Sequence, residues 1–350
     1  MIMAIDLTLI YRVLVFPGFV FIFVLTMVCD WISRKIRAHM ENRMGPMYTG
    51  YHGILQPWAD FIKLLAKEST SPKATNKTIF KLMPLLSFTM IMVAMFFMPI
   101  DGSNVIPGSA FSGDLILVLM LVTIANFFLF LAGWSSNNPY SKLGGSRVLI
   151  QVLGYDIPFF LLALTPVFLA GGVDPTTKIL VLSFTSIVQG QQSIWFVLLI
   201  PWSFILFIIA MQAELEKDPF DVPDAETEIV GGLETEYNGA SLAFLKLGKD
   251  VQVVLGAFII VDLFLGGPGL AGGITATAGI LDFSAFLFTI GFVLKVVAVV
   301  VIIQYVASLW ARARIDQVLK WNWKYMMPLS IGAMVLSLLV AFFWNGLIHF

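Results

Sequence analysis

Between Ile194 and Met211 the chain reads IWFVLLIPWSFILFIIAM, without one charge. Runs of this kind recur along the whole 350 residues. About 20 consecutive apolar residues suffice to cross the hydrocarbon layer of a bilayer. Only 12% of the residues are charged, where a soluble domain carries about 25%. The expected class is therefore an all-α integral membrane protein. Eight spans are predicted, near 10–33, 79–99, 114–133, 148–171, 194–212, 243–266, 284–307 and 325–348. The chain reads as a single polytopic domain, 1–350. The segment ILVLSFTSIV, 179–188, is too short to cross and is expected at the interface. The glycine-rich loop 266–279 is expected to be small and flexible. No repeat of 20–50 residues is visible.

Lys and Arg fix the orientation, because basic loops stay on the cytoplasmic side. Arg34, Lys35, Arg37, Arg43, Lys63, Lys67, Lys73 and Lys77 fall between the first two spans, and Lys142 and Arg147 in the next loop on that side. Lys217, Lys246 and Lys249, then Arg312, Arg314, Lys320 and Lys324, follow the same alternation. Both termini are then expected on the outer side of the cell membrane.

The net charge of −1 offers no global argument for nucleic acid. Cys29 is the single cysteine, which excludes an intrachain disulfide and a cysteine-ligated cluster. The three histidines have no metal-ligand spacing, and no GxGxxG or Walker loop occurs. No metal site and no redox centre are expected in this chain.

Chemistry-capable residues gather on the basic side. The first cytoplasmic loop, 34–78, contains Gly53–Glu68, whose apolar residues share one helical face, predicting an amphipathic helix on the membrane surface or against a partner. The stretch AELEKDPFDVPDAETEIVGGLETEY, Ala213–Tyr237, holds nine of the 22 acidic residues and forms an acidic cytoplasmic loop, 213–241. Pro219 and Pro223 force turns there. DAETEIVGGLETEY is expected to be helical up to the glycine pair, with Asp224 and Glu228 on one face. Crowded carboxylates at a membrane boundary favour proton retention. Asp156, Asp262 and Lys295 lie inside predicted spans, where ionisable groups are costly and often serve proton relays.

ENRMGPMYTGYHGILQPWADFIKLLAKE, WSSNNPYSKLGGSRVLIQVLGYDIP, AELEKDPFDVPDAETEIVGGLETEYNG and RARIDQVLKWNWKYMMPLS occur in that order, and together they resemble the complex I membrane subunit known as subunit 1 or H. The same family includes the matching subunit of membrane-bound nickel–iron hydrogenases and related ferredoxin-linked complexes. The resemblance covers nearly the whole chain. It implies an eight-helix subunit between a peripheral redox arm and antiporter-like membrane subunits, forming the quinone chamber in quinone-using members. It also implies a proton pathway through Asp156, Glu214, Asp221, Glu226 and Glu228, with Glu236 nearby; Lys295 is added from its depth in the seventh span. For peripheral-arm contact the matching positions are Arg43, Gly45, Pro46, Gln56, Pro57, Asp60, Lys63 and Glu68, within a loop that starts at Arg34. Arg312, Arg314, Asp316 and Gln317 match the last cytoplasmic motif.

Departures from the pattern suggest a branch. Quinone-type members usually have Glu where this chain has Asp156, and Arg where it has Lys217. Tyr305, Ala307 and Ala311 replace a Trp, an Arg and a Pro of the last motif, and SLAFLKLGKDVQ, 241–252, lacks the FAFFFLAEY pattern. On these grounds the expected role is a non-catalytic subunit of a ferredoxin-linked, hydrogenase-type pump moving protons or sodium ions. Its partner subunits would carry iron–sulfur clusters and a nickel–iron large subunit. The alternative is the quinone-chamber subunit of an NADH- or deazaflavin-linked quinone reductase. A stand-alone secondary transporter is disfavoured, because the cytoplasmic motifs would then lack a partner.

Overall fold

The computed structural model describes residues 7–73, 75–101, 104–106, 111–171, 181–269 and 283–348. Helices dominate, and among the described residues there is no strand beyond an isolated bridge between Pro99 and Asn104. In chain order they are α1 (Leu7–Leu14), α2 (Phe19–Met40), α3 (Gln56–Ala66), α4 (Lys77–Phe96), α5 (Asp114–Ser135), α6 (Pro139–Ala170) and α7 (Phe184–Gly190). There follow α8 (Phe196–Leu199), α9 (Pro201–Glu214), α10 (Glu226–Ile229), α11 (Gly239–Phe264), α12 (Phe283–Leu309), α13 (Ile315–Trp321) and α14 (Met327–Ile348).

Six helical stretches are long and apolar enough to cross a membrane: Leu9–Met40, Lys77–Phe96, Asp114–Ser135, Pro139–Ala170, Leu287–Leu309 and Ile315–Trp344. They coincide with six of the eight expected spans. The other two differ for physical reasons. The fifth is not one helix: Pro201 starts α9 after a break at Ile200, leaving the one-turn α8 before it. A 14-residue helix such as α9 reaches about 21 Å, short of the roughly 30 Å hydrocarbon layer. The sixth, α11, has 26 residues and so has the length, about 39 Å. It carries Lys246, Lys249, Asp250 and Asp262, too many charges for a lipid-facing helix.

Burial explains how α11 tolerates them. From Val251 to Phe264 every residue is buried, as expected of a helix apolar all round and enclosed by others. It packs on α2, α3, α4, α7, α9 and α12, and is the axis of the bundle.

The predicted surface helix forms as α3, later than expected. Residues Tyr51–Gly53 make a tight turn with His52 at φ 51°, and Gly53 has φ 80°. A Cβ at Gly53 would lie 2.3 Å from the Pro46 carbonyl oxygen, so the MGP turn and this glycine hold the loop closed. Trp58 and Phe61 pack edge-on against Phe23 of α2, at ring distances of 5.0 and 5.6 Å. Ile62 and Leu65 stay exposed. The segment 179–188 is described from 181 and includes the start of α7; of the loop 266–279, residues 270–279 lie outside the described residues.

Candidate functional site

The acidic stretch is folded rather than solvated. Phe220, Val222, Leu233 and Tyr237 are buried. Tyr237 stacks on Phe80 at 4.2 Å and donates its hydroxyl to the Ala132 carbonyl at 3.0 Å. A Cβ at Gly144 would stand 2.6 Å from the Leu233 nitrogen, so the glycine on α6 is what lets the loop lie against that helix. Ser141 Oγ donates to the Leu233 carbonyl at 3.1 Å, and Ala313 N–H to the Pro219 carbonyl at 2.9 Å. The expected helix through DAETEIVGG is cut to the single turn α10, because Val230 adopts φ 62°. Asp224 precedes this turn, which starts after the non-helical Ala225, so it does not share a face with Glu228: Asp224 pairs with Lys249, and Glu228 with Arg147 at 2.7 Å.

This fold opens a cavity of about 440 Å³ lined by charge, with Glu216, Asp218, Asp221, Asp224 and Glu234 facing Arg37, Lys217, Lys249 and Arg312. The pairs are specific. Arg37 meets Asp218 at 2.6 Å and Arg312 meets Asp221 at 2.5 Å. Lys249 bridges Asp224 and Glu234, the latter at 3.4 Å. Burial, reinforced by Asp224, raises the Asp221 carboxyl above its ordinary value despite Arg312. Glu216 is pushed up to about 8, first by burial and then by Asp224, Asp221 and Glu234, with Lys249 opposing. Its backbone is left-handed, φ 49°, at the turn that leaves α9.

One turn deeper, Glu214 ends α9 almost fully buried. Its Oε1 accepts from Asn126 Nδ2 at 2.9 Å and Gln252 Nε2 at 3.3 Å. Asn126 Nδ2 also donates to the Tyr155 hydroxyl at 3.1 Å, and Gln252 Nε2 to Asn126 Oδ1 at 3.2 Å. Four helices therefore fix this one carboxyl. Asp156, beside Tyr155 on α6, accepts from Thr123 Oγ1 at 3.3 Å and lies close enough to Glu214 for the two carboxyls to repel. Leu215 lines both the charged cavity and a narrow void against Glu214.

The structure thus brings Asp156, Glu214, Asp221 and Arg312 to one region. Glu228 and Glu236 flank it, Glu236 accepting from Asn138 Nδ2 at 2.5 Å; the side chain of Glu226 lies outside the described residues. Lys295 is not part of it and bonds to the opposite end of α11. Asn126, Tyr155, Gln252 and Glu216 complete the region without having been singled out. Their signal was an uncharged polar residue inside an apolar span, or one more acid among nine.

The first-loop residues form a separate surface. Arg34 joins Asp60 at 2.6 Å and Asp30 at 2.7 Å, and Gln56 Nε2 donates to Asp60 at 3.1 Å. Burial raises the Asp60 carboxyl, but Arg34 and Lys63 outweigh it and the net shift is downward. Lys63 lies 3.4 Å from Asp60 and Arg43 2.5 Å from Glu41. Gly45 packs beside Ala38 and Lys35. Glu68, Arg314 and Asp316 are exposed. An apolar cavity of about 470 Å³ opens between α2 and this loop, lined by Trp31, Ile32, Lys35, Ile36, Tyr51, His52 and Ile54. Among the described residues no cluster of His, Cys, Asp or Glu fits a metal ion.

The comparisons agree with this architecture. Residues 13–338 match the profile of the NADH dehydrogenase family. The H subunit of NADH-quinone oxidoreductase from Carboxydothermus hydrogenoformans is 34% identical over 312 residues, covering 89% of this chain and 83% of that protein. The H subunit from Dehalococcoides mccartyi strain CBDB1 is 34% identical over 330 residues, 94% of this chain and 85% of the relative. That of Geobacillus thermodenitrificans is 32% identical over 309 residues, 88% of this chain and 87% of the relative. With matches spanning the loop, the acidic stretch and the helices that hold them, the chain belongs to the family of complex I membrane subunit 1, also called the H subunit.

Proposed function

We propose that this chain is the membrane subunit at which a complex I-like quinone oxidoreductase couples its peripheral redox arm to ion translocation. The observation that carries the reading is the continuity of carboxylates from Asp221 and Glu216 in the open cavity to Glu214 and Asp156 inside the bundle. Protons enter the row from the cavity, whose ion pairs respond to charge at its mouth. Glu214 passes the proton inward because its hydrogen-bonding neighbours, Asn126 and Gln252, remain in place whether it is ionised or neutral. Asp156 is the next carboxyl, and Glu228 and Glu236 are ancillary groups.

The names of the relatives, NADH-quinone oxidoreductase subunits, support the quinone-linked reading over the hydrogenase-type one. The apolar cavity at Trp31–Ile54 has the chemistry for a quinone: aromatic and aliphatic walls, with one lysine at the rim. The charged cavity suits ions and water instead. Arg34, Arg43, Gly45, Pro46, Gln56, Asp60, Lys63, Glu68, Arg312, Arg314 and Asp316 form the docking surface for a peripheral arm carrying iron–sulfur clusters. Antiporter-like subunits are the partners in the membrane. The basic loops face the cytoplasm, with α8–α9 and α11 as passes five and six of eight.

A photoreactive quinone applied to the purified complex tests this reading. Adducts are expected on the peptide Trp31–Ile54, competed by unlabelled quinone. Quinone-independent turnover with no adduct there, in a complex holding a nickel–iron subunit, favours the hydrogenase-type reading.

A further inference from the structure

A second group of ionisable residues lies at the other end of α11. Asp262 is fully buried, and neither carboxylate oxygen has a hydrogen-bond partner among the described residues. Lys295 of α12 does not bond to it. Its Nζ donates instead to the carbonyls of Leu265, Gly267 and Gly269, at 2.8, 2.9 and 2.7 Å, and lies 5.0 Å from the centre of the Trp195 ring. These carbonyls belong to the turn that follows α11, and the C-terminal end of a helix attracts cations. Asp262 abuts the same turn: a Cβ at Gly267 would be 2.8 Å from Asp262 Oδ1.

The charged groups acting on Asp262 are Lys295 and Asp114. Asp114, at the start of α5, is satisfied as an anion, accepting from Ser183 Oγ at 3.0 Å and Phe184 N–H at 2.9 Å. Gln191, just after α7, has its amide committed to backbone, donating to the carbonyls of Asp262 and Leu263 and accepting from Gly266 N–H. Among the described residues no donor remains for Asp262. An ionised carboxylate buried without a partner costs several kcal/mol. A hard metal cation requires a shell of about six oxygens, and the three carbonyls at this turn already hold Lys295. A proton is the cation that suits the site.

We propose that Asp262 is a proton-binding site at the end of the bundle opposite the basic loops, with Lys295 as its counter-cation. In the arrangement seen, the carboxyl holds the proton and the ammonium rests on the three carbonyls. On release, the carboxyl O–H bond breaks, the proton passes to water on the exposed side of Lys295, and the ammonium moves to the new carboxylate. Uptake reverses these steps, and no electron is transferred. Exchange is with this end of the molecule, because Val253–Val261 separates Asp262 from Gln252 with buried residues throughout. Phe159, Phe207, Phe264, Phe258 and Phe292 add an aromatic layer, with ring distances of 4.9–5.5 Å. The proposal is independent of the electron acceptor.

Infrared difference spectroscopy of the purified complex, recorded as pH is stepped, tests it through the carbonyl stretch of a protonated carboxyl, which a carboxylate lacks. A band is expected in the wild type and lost in Asp262→Asn. Lys295→Met removes the counter-cation, so the band is expected to persist to a pH higher by about one to three units; Lys295→Arg is expected to keep the wild-type midpoint. A spectrum unaffected by Asp262→Asn overturns the proposal, as does a Lys295→Met midpoint equal to the wild type. If Lys295→Met does not assemble, the Asp262→Asn spectrum decides alone.

Discussion

At its basic end α11 places Lys249 between Asp224 and Glu234, and thirteen residues later it places Asp262 with no hydrogen-bond donor among the described residues. One helix thus buries charge in two ways. The first is a network of ion pairs lining an open cavity. The second, about 20 Å away along the same axis, has its acid without a hydrogen-bond partner among the described residues and holds its cation on backbone carbonyls. In the network, cationic partners and neighbouring acids together set how readily each carboxyl gives up its proton, as Glu216 and Asp221 show. An isolated carboxyl either keeps its proton or draws in a cation, so it behaves as a two-state group. The nature of the partners, more than burial itself, decides which of these a buried acid becomes.

The largest effect that would break this contrast concerns transport. In Glu214→Gln or Asp156→Asn the complex is expected to assemble while ion translocation in vesicles falls on the order of 100-fold, the scale of losing a positioned proton-transfer group. Unchanged translocation in both variants removes them from the path, and loss of the complex reassigns them to assembly.

Next comes stability. Lys249→Met strands Asp224 and Glu234. Removing one partner of a fully buried pair costs about 3–5 kcal/mol. With Asp224 and Glu234 26% and 23% exposed, about 2–3 kcal/mol is expected here after screening. Thermal unfolding of the complex measures it. Asp262→Asn, which mimics the protonated acid, is expected to leave the melting temperature within a degree or so. Equal losses in the two variants would erase the difference between the ends.

A smaller effect is the pH dependence of stability. Glu216 is raised from 4.5 to about 8 in the folded protein, so folding favours its protonated form. Its contribution is complete below about 4.5 and is lost as pH rises to 8. Glu216→Gln is expected to flatten the melting temperature across that window. A wild-type slope retained in the variant would assign the titration elsewhere in the cavity.

The smallest effect is at the surface. Arg43 pairs with Glu41 while 60% exposed, and such pairs contribute about 0–1 kcal/mol. Arg43→Ala is expected to leave stability unchanged and to weaken retention of the peripheral arm in salt washes. Retention equal to wild type would take Arg43 out of the docking surface.

Much of this was legible as sequence, for reasons particular to each element. Apolar runs located six long helices, because length and composition alone decide that a segment suits lipid. Pro201 within the fifth run was the mark of its break, hidden by the uninterrupted hydropathy around it. The acidic loop read as structured from its prolines and glycines, yet its internal helix was overestimated: nothing in EIVGG announces that Val230 turns left-handed. Asp156 and Glu214 stood out as charges against an apolar background. Asn126, Tyr155 and Gln252 did not, since their meeting depends on the rotation of three helices about their axes. Lys249 was read as an orientation signal, and its role as the bridge between two acids followed from packing.

The enclosure of α11 bears on how the protein is made. Each Lys or Asp near the middle of a helix adds about 2.5–3.5 kcal/mol against insertion into lipid. This helix carries three such residues, Lys246, Lys249 and Asp250, with Asp262 near its end, and leaves almost none of its surface for lipid. Its favourable surroundings are the walls already laid down by α2, α4 and α9, together with α12, which is synthesised after it. During biogenesis α11 is therefore the segment with most reason to wait at the translocon until its neighbours can receive it, and the order of helix release is written into where the charges lie.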